Sequence, residues 1–455
     1  AMIGKIESVG MTMGNQLARD FRLKSLLRFA LPTVLMNLFV GLYYIVDGVC
    51  VAQFVGTDAL AAMNITYPTF FTAMAISIMM ATGGSAVVAK KMGEGKEQEA
   101  RADFTFLTLV TLGAGIVFSL LCLLNLKPLL YLLGADAALF SVSRAYVSIQ
   151  LCFTPAIFMQ MFFQTFFVTA GKPKVGLVLT LIAGCTNIVL DLLLVGYFSM
   201  GVVGASLATC IGYAIPTAAG FLFFFRRDKV LHFTRPRVSL AVLGRSCVNG
   251  SSEMGANLST SITTAAFNNV MMGLIGADGV TAISLLVYTQ YIFQAFFTGF
   301  SIGVAPVFSY NYGSCNRERL ARLFRISSRS ILAASLGVFL VMEAFTPWMV
   351  LAFTPRDTVF AIATVGIRIY SVAYLCYGTN VFASALFTAL SNGVLSFIVS
   401  FLRTLAFLLP GVLILSAALG AAGVWLAGPF AETATLLISF WFLRRNGARY
   451  GYLQP

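Results

Sequence analysis

Six ionisable side chains lie inside long apolar stretches of the chain: Asp47, Asp191, Glu253, Glu343, Arg403 and Glu432. A charge held in hydrocarbon costs about 2.5–3.5 kcal/mol on insertion scales, so each is a functional candidate by default. Depth groups the first two with other polar residues. Asp47 lies seven residues before the end of the first apolar run at Phe54, and Asp191 six before the end of the fifth at Tyr197. Thr209 lies eight after the start of the sixth run at Gly201. At about 1.5 Å per residue, all three sit roughly 9–12 Å below one face. Asn187 precedes Asp191 by one helical turn, on the same face and slightly deeper. Two carboxylates, an amide and a hydroxyl at one depth make a cavity of hard oxygen ligands, which suits Na+. Close carboxylates in a dry site also suit a proton carrier. The structural alternative is that Asp191 only locks the fifth run to the sixth.

The other charges read differently. Arg403 and Glu432 reach the same mid-membrane depth from opposite sides, so a neutralising structural pair is expected. Glu343, near the outer end of its run, is expected to be wet. Glu253 sits in Asn249-Gly250-Ser251-Ser252-Glu253, a polar stretch expected to break its helix. Such backbone is tolerated at membrane depth only where it lines a cavity or is buried in protein, and both roles stay open. The i,i+4 pairs Gln160/Gln164 and Gln290/Gln294 either line a pore or glue helices together, and glue is slightly favoured. Clusters such as Phe158-Met159 and Tyr370, Tyr374, Tyr377 are expected in packing, with some members lining a greasy cavity. Pro32 is expected to bend the first helix.

These residues are carried by a chain of 455 residues that is 59% hydrophobic and only 10% charged, with a mean hydropathy of +0.88. That is too little charge to cover a water-facing surface, so an all-helical, multi-pass membrane protein is expected. Twelve runs reach the roughly 20 residues needed to span a bilayer. The first begins at 29 and the seventh at 246; the tenth covers 358–389 and the last 420–443. Of the 30 Lys and Arg, 25 fall before the first run, in alternate loops, or after the last run. Positive-inside then places both termini in the cytoplasm, as an even number of spans requires. The net charge of +13 reports orientation, and no nucleic-acid partner is expected. Residues 1–28 are too polar for a signal peptide. The eight cysteines form no CxxC pair and mostly sit in apolar runs, which points to buried packing and no metal. The single His232 is expected to be solvated.

A basic loop at 226–245 divides the chain, and the halves repeat at an offset near 220. Phe54-Val55-Gly56-Thr57-Asp58 matches Leu274-Ile275-Gly276-Ala277-Asp278. Gly83 and Gly93 match Gly303 and Gly313, Gly201 and Gly204 match Gly420 and Gly423, and Phe225-Arg226-Arg227 echoes Leu443-Arg444-Arg445. Each half holds six spans, so two lobes related by a pseudo-twofold axis along the membrane normal are expected. The expected division is a cytoplasmic segment 1–28, an N lobe 29–225, a cytoplasmic linker 226–245 and a C lobe 246–455. No GxxxxGK[ST] occurs, so energy should come from an ion gradient. Zinc motifs and paired aspartates for membrane transferases are also missing, and an enzyme is not expected.

Several segments together resemble the multidrug and toxic compound extrusion (MATE) family across essentially the whole chain. They are Leu31-Pro32-Thr33 with Val46-Asp47, Asn187-Ile188-Val189-Leu190-Asp191, and Gly201 to Thr209. Gly303-Val304-Ala305-Pro306 through Gly313, and Gly423 to Pro429 with Glu432, complete the set. The resemblance implies two six-helix lobes forming a V, and antiport of amphipathic, often cationic, organic compounds against Na+ or H+. It puts the family's N-lobe cation site on Asp47, Asn187, Asp191 and Thr209, and its helix-1 bend on Pro32. Another branch of the family uses a C-lobe pair, of which Glu253 resembles one member. The tenth run has no acid near Tyr377 or Asn380 to supply the other. The expected protein is therefore a polyspecific antiporter of the cell membrane. It would be a monomer among lipids, with no cofactor beyond the coupling Na+ or H+. A flippase for a lipid-linked precursor is the alternative.

Overall fold

The computed structural model describes residues 16–55, 57–135, 139–353 and 357–453, excluding the side chains of 43–54, 57–62, 64, 261 and 352. Regular structure among the described residues is helical throughout. The N lobe contains α1 (Leu23–Phe54), α2 (Thr57–Gly93), α3 (Glu97–Leu124), α4 (Phe140–Thr169), α5 (Pro173–Leu190, running on to Tyr197) and α6 (Gly201–Phe225). The C lobe contains α7 (Leu240–Leu274), α8 (Ala277–Gly313), α9 (Arg317–Phe353), α10 (Asp357–Ser371 and Tyr374–Ala389), α11 (Gly393–Phe401, running on to Leu419) and α12 (Ala421–Tyr450). Ten of these helices are long and apolar enough to cross a membrane, eleven if the two parts of α10, bent by 51°, count as one. The chain is a multi-pass membrane protein.

Left-handed turns mark the repeat. Gly95 (φ 76°) recurs as Cys315 (φ 55°), Gly171 (φ 71°) as Ser391 (φ 61°), and Gly201 (φ 58°) as Gly420 (φ 60°). Only glycine adopts this backbone without strain, so Cys315 and Ser391 keep the turn at some cost. α5 and α11 also share a feature absent from the sequence pattern. Each contains a π-helical stretch, Asp191–Tyr197 in one and Leu402–Ala406 in the other. Such wide turns are frequent at functional sites.

Within lipid, helices associate through close packing of small residues, because tails are as apolar as leucine. The lobes meet in this way near the end that carries the basic loops. A Cβ on Gly83 of α2 would overlap the Ser246 carbonyl oxygen of α7, and one on Gly250 would overlap that of Met79. Gly93 and Gly313 likewise press against the carbonyls of Tyr310 and Lys90. α8 approaches α1 by the same device, with Gly299 placed 2.7 Å, as measured from an added Cβ, from the Val34 Cα. Lys90 stands over the Tyr312 ring at 5.1 Å. The segment before α1 straps this end. Leu17 is fully buried, Arg319 Nη1 of α9 donates to the Ala18 carbonyl at 2.8 Å, and Arg322 Nη1 grips both Asp20 oxygens at 2.8 and 2.7 Å.

Four expectations are corrected. α7 runs unbroken through Asn249–Glu253. The glycine and serines there admit the α2 backbone; they do not interrupt the helix. α1, α7 and α12 each extend beyond their apolar runs, to Leu23, Leu240 and Tyr450, because charged turns continue a helix outside hydrocarbon. Of the described cysteines only Cys210 is buried, while Cys152, Cys185 and Cys315 are exposed. An apolar neighbourhood in a membrane helix marks a lipid-facing side as readily as a core. His232 is half-buried, and its Nδ1 lies 2.9 Å from the Lys229 carbonyl oxygen.

Candidate functional site

Three helices of the N lobe border a small, partly open space lined by Gln160 from α4, Thr180, Ala183 and Asn187 from α5, and Thr209, Gly212 and Tyr213 from α6. Asn187 and Thr209 come together as the depth arithmetic expects: the amide Nδ2 donates to the hydroxyl at 3.4 Å. Thr209 passes its own proton to the Ala205 carbonyl at 3.1 Å, so its lone pairs stay available. Asp191 is fully buried one turn from Asn187, where α5 widens into its π-helical stretch. The side chain of Asp47 falls outside the described residues.

The oxygens of this cavity are only partly committed. Asn187 Oδ1 and Gln160 Oε1 are buried without a hydrogen-bond partner among the described residues. A buried acceptor left unpaired costs about 1–3 kcal/mol, so two of them facing one space invite a proton or a metal ion. With the Thr209 hydroxyl they give the space three hard oxygen atoms. Of the two readings open for Gln160, the structure favours lining a space over gluing helices. Thr180 and Tyr213 were not singled out in the sequence, because single polar residues within an apolar run carry no depth signal without a partner.

A second space, about 370 Å³ and partly open, lies between the lobes. Thr82, Ser85 and Thr165 line it from the N lobe, and Glu253, Ser309 and Thr388 from the C lobe. Its hydroxyls are mostly committed: Ser85 pairs with Thr169 at 2.7 Å, Ser309 donates to the Ala389 carbonyl at 2.9 Å, and Thr388 donates to that of Asn249 at 3.1 Å. Glu253 is the one acid among the described lining residues. Glu253 is thus not part of the N-lobe cluster but stands at the interface of the lobes.

The remaining intramembrane charges pair as expected. Arg403 Nη1 lies 3.8 Å from Glu432 Oε1, and Asn380 Nδ2 donates to Glu432 Oε2 at 2.8 Å. Arg403 also stacks over the Tyr377 ring at 4.8 Å, and Tyr370, Tyr374 and Tyr377 form a chain of edge-to-face rings. Glu343 is 38% exposed and accepts a hydrogen bond from Ser371 at 2.7 Å. Pro32 lies inside α1, which continues through it.

Known proteins share this architecture. The chain is 20% identical to the multidrug export protein MepA of Staphylococcus saprophyticus over 91% of its own length and 92% of that protein. It is 19% identical to MepA of Staphylococcus aureus (strain MRSA252), covering 88% and 89% of the two chains. Its fold superposes on an outward-facing multidrug resistance MATE transporter of the MOP superfamily with a TM-score of 0.91 at 21% identity, covering 98% of this chain and all of the other. A MATE structure in a bent conformation gives 0.88, again at 21% identity, covering 97% and 99%. The MatE family model matches residues 32–193 and 254–413, one stretch in each lobe and together most of the chain, and the protein belongs to the MatE family.

Proposed function

We propose that the protein is an antiporter that exports amphipathic, often cationic, organic compounds by alternating access, driven by Na+ or H+ at an N-lobe site. The observation that carries this reading is the N-lobe cavity, where Asn187 and Gln160 each present a buried oxygen that has no hydrogen-bond partner among the described residues, beside Thr209 and one helical turn from the buried Asp191. Asp191, Asn187 and Thr209 would hold the cation, with Asp47 as the second carboxylate. The space between the lobes would receive the substrate, and Glu253 would attract a positively charged one. The relatives named as multidrug export proteins support the same reading.

Positive-inside places the basic end in the cytoplasm. The lobes close there, so this conformation would face outward. Cation loading would favour one arrangement of α1, α5 and α6, and substrate the other. The two need differ in affinity for the two states only by the population shift they cause. Pro32, which removes one backbone hydrogen bond from α1, is where that helix would bend. A lipid-diphosphate flippase would need a cationic cavity, and the described residues around the interlobe space supply a carboxylate and hydroxyls instead.

The test is ethidium transport in proteoliposomes under an imposed pH gradient and, separately, an imposed Na+ gradient. Transport under one gradient, abolished by Asp47→Asn in folded protein, is the expected result. Full coupled transport by Asp47→Asn would overturn the N-lobe mechanism. No gradient-dependent movement under either ion would overturn antiport.

A further inference from the structure

The repeat assigns each wall of the N-lobe cavity a counterpart in the C lobe. Gln160 precedes the left-handed turn at Gly171 by as many residues as Asn380 precedes that at Ser391. Ala183 follows Gly171 as Arg403 follows Ser391, and Tyr213 follows Gly201 as Glu432 follows Gly420. Gln160, Ala183 and Tyr213 border open space. Asn380, Arg403 and Glu432 instead converge on one another: the Asn380 amide donates to the Glu432 carboxylate at 2.8 Å and to its backbone carbonyl at 2.9 Å, with the Arg403 guanidinium 3.8 Å away. The side chains of Arg403 and Glu432 are only 12% and 9% exposed. Tyr377, at 4.8 Å, gives the guanidinium an aromatic face.

We propose that Glu432, Asn380 and Tyr377 form a second cation-binding site, of the guanidinium class, that the chain fills with its own Arg403. A carboxylate, an amide and an aromatic wall are what a free guanidinium ion would require. Their ligand is covalently attached, so the C-lobe site stays loaded through the transport cycle while the N-lobe site exchanges with solution. The proposal deepens the antiport reading, since it explains why coupling would rest on one lobe. Its test does not depend on transport.

Arg403→Ala should vacate the site. In purified protein, guanidinium or methylguanidinium chloride should then raise the unfolding midpoint by about 3 °C relative to NaCl at equal ionic strength. Wild type and the double variant Arg403→Ala/Glu432→Gln should show no such rise. Absence of a guanidinium-specific rise in Arg403→Ala, or an equal rise in the double variant, would overturn the proposal. If Arg403→Ala is recovered poorly, guanidinium in the purification buffers should restore the yield of monodisperse protein; unchanged yield would overturn it equally. The reciprocal variant Ala183→Arg should fold and lose the stabilisation that the coupling ion gives wild type. A guanidinium response in Arg403→Ala alongside full coupled transport by Asp47→Asn would sustain this site and remove the N-lobe mechanism.

Discussion

Between α4, α5 and α6 the N lobe leaves a small space bordered by oxygens that have no hydrogen-bond partner among the described residues. At the corresponding place between α10, α11 and α12 the C lobe holds an ion pair whose carboxylate accepts a hydrogen bond from Asn380. The backbone turns that frame the two places recur at Gly171 and Ser391 and at Gly201 and Gly420. Duplication has therefore kept the scaffold while charge has diverged. The difference turns on few side chains: Ala183 is too small to fill its cavity, and Arg403 supplies both volume and charge. One frame can hold an exchangeable ligand or a permanent one, depending on whether a cation comes from solution or from the chain.

The comparison can be broken or sharpened by substitution. The largest effect is expected from Glu432→Gln, which strands Arg403 without its counter-charge and should cost about 3–5 kcal/mol of stability. Arg403→Met/Glu432→Leu, which removes both charges and keeps the volume, should lie within about 1 kcal/mol of wild type. Thermal unfolding in detergent reads both, and equal losses in the two variants would show that the stranded Arg403 charge is not what destabilises Glu432→Gln. Next comes Asp191→Asn. Losing a charge-assisted contact of about 1.5–3 kcal/mol should weaken coupling-ion binding by about 10–100-fold. Ion-dependent thermal shifts measure this, and undiminished ion affinity would deny the N lobe its role. Gly93→Ala and Gly313→Ala each drive a methyl into a carbonyl of the opposite lobe. Each should cost about 1–3 kcal/mol, and to similar degrees, because here the repeat has not diverged. The smallest effect is expected from Asp20→Asn, which breaks an exposed ion pair worth at most about 1 kcal/mol. Its loss should fade further in high salt.

Much of this arrangement is written in the chain. Apolar runs located the helices because hydrocarbon demands them, and helical spacing put Asn187 one turn from Asp191. The depths of Arg403 and Glu432, counted from opposite ends, brought them together. What the chain leaves unwritten depends on neighbours. Asn249–Glu253 looks like a helix break until α2 packs against Gly250. Gln160 looks like glue until Ala183 and Gly212 leave space beside it. The cysteines look buried because lipid and core are equally apolar. The π-helical stretches of α5 and α11 have no local signature, since they arise from how each helix fits its lobe.

The strap before α1 bears on how the molecule is assembled. The hydrogen bond between Ala18 and Arg319 joins positions 301 residues apart. Chains are made from the N-terminus, and their domains fold as units in that order. The helices of the N lobe therefore exist before α9 does, and this contact must be among the last to form. A nascent chain would carry Leu17, fully buried in the finished protein, on a turn that packs against α8, without its final cover until the second lobe is made.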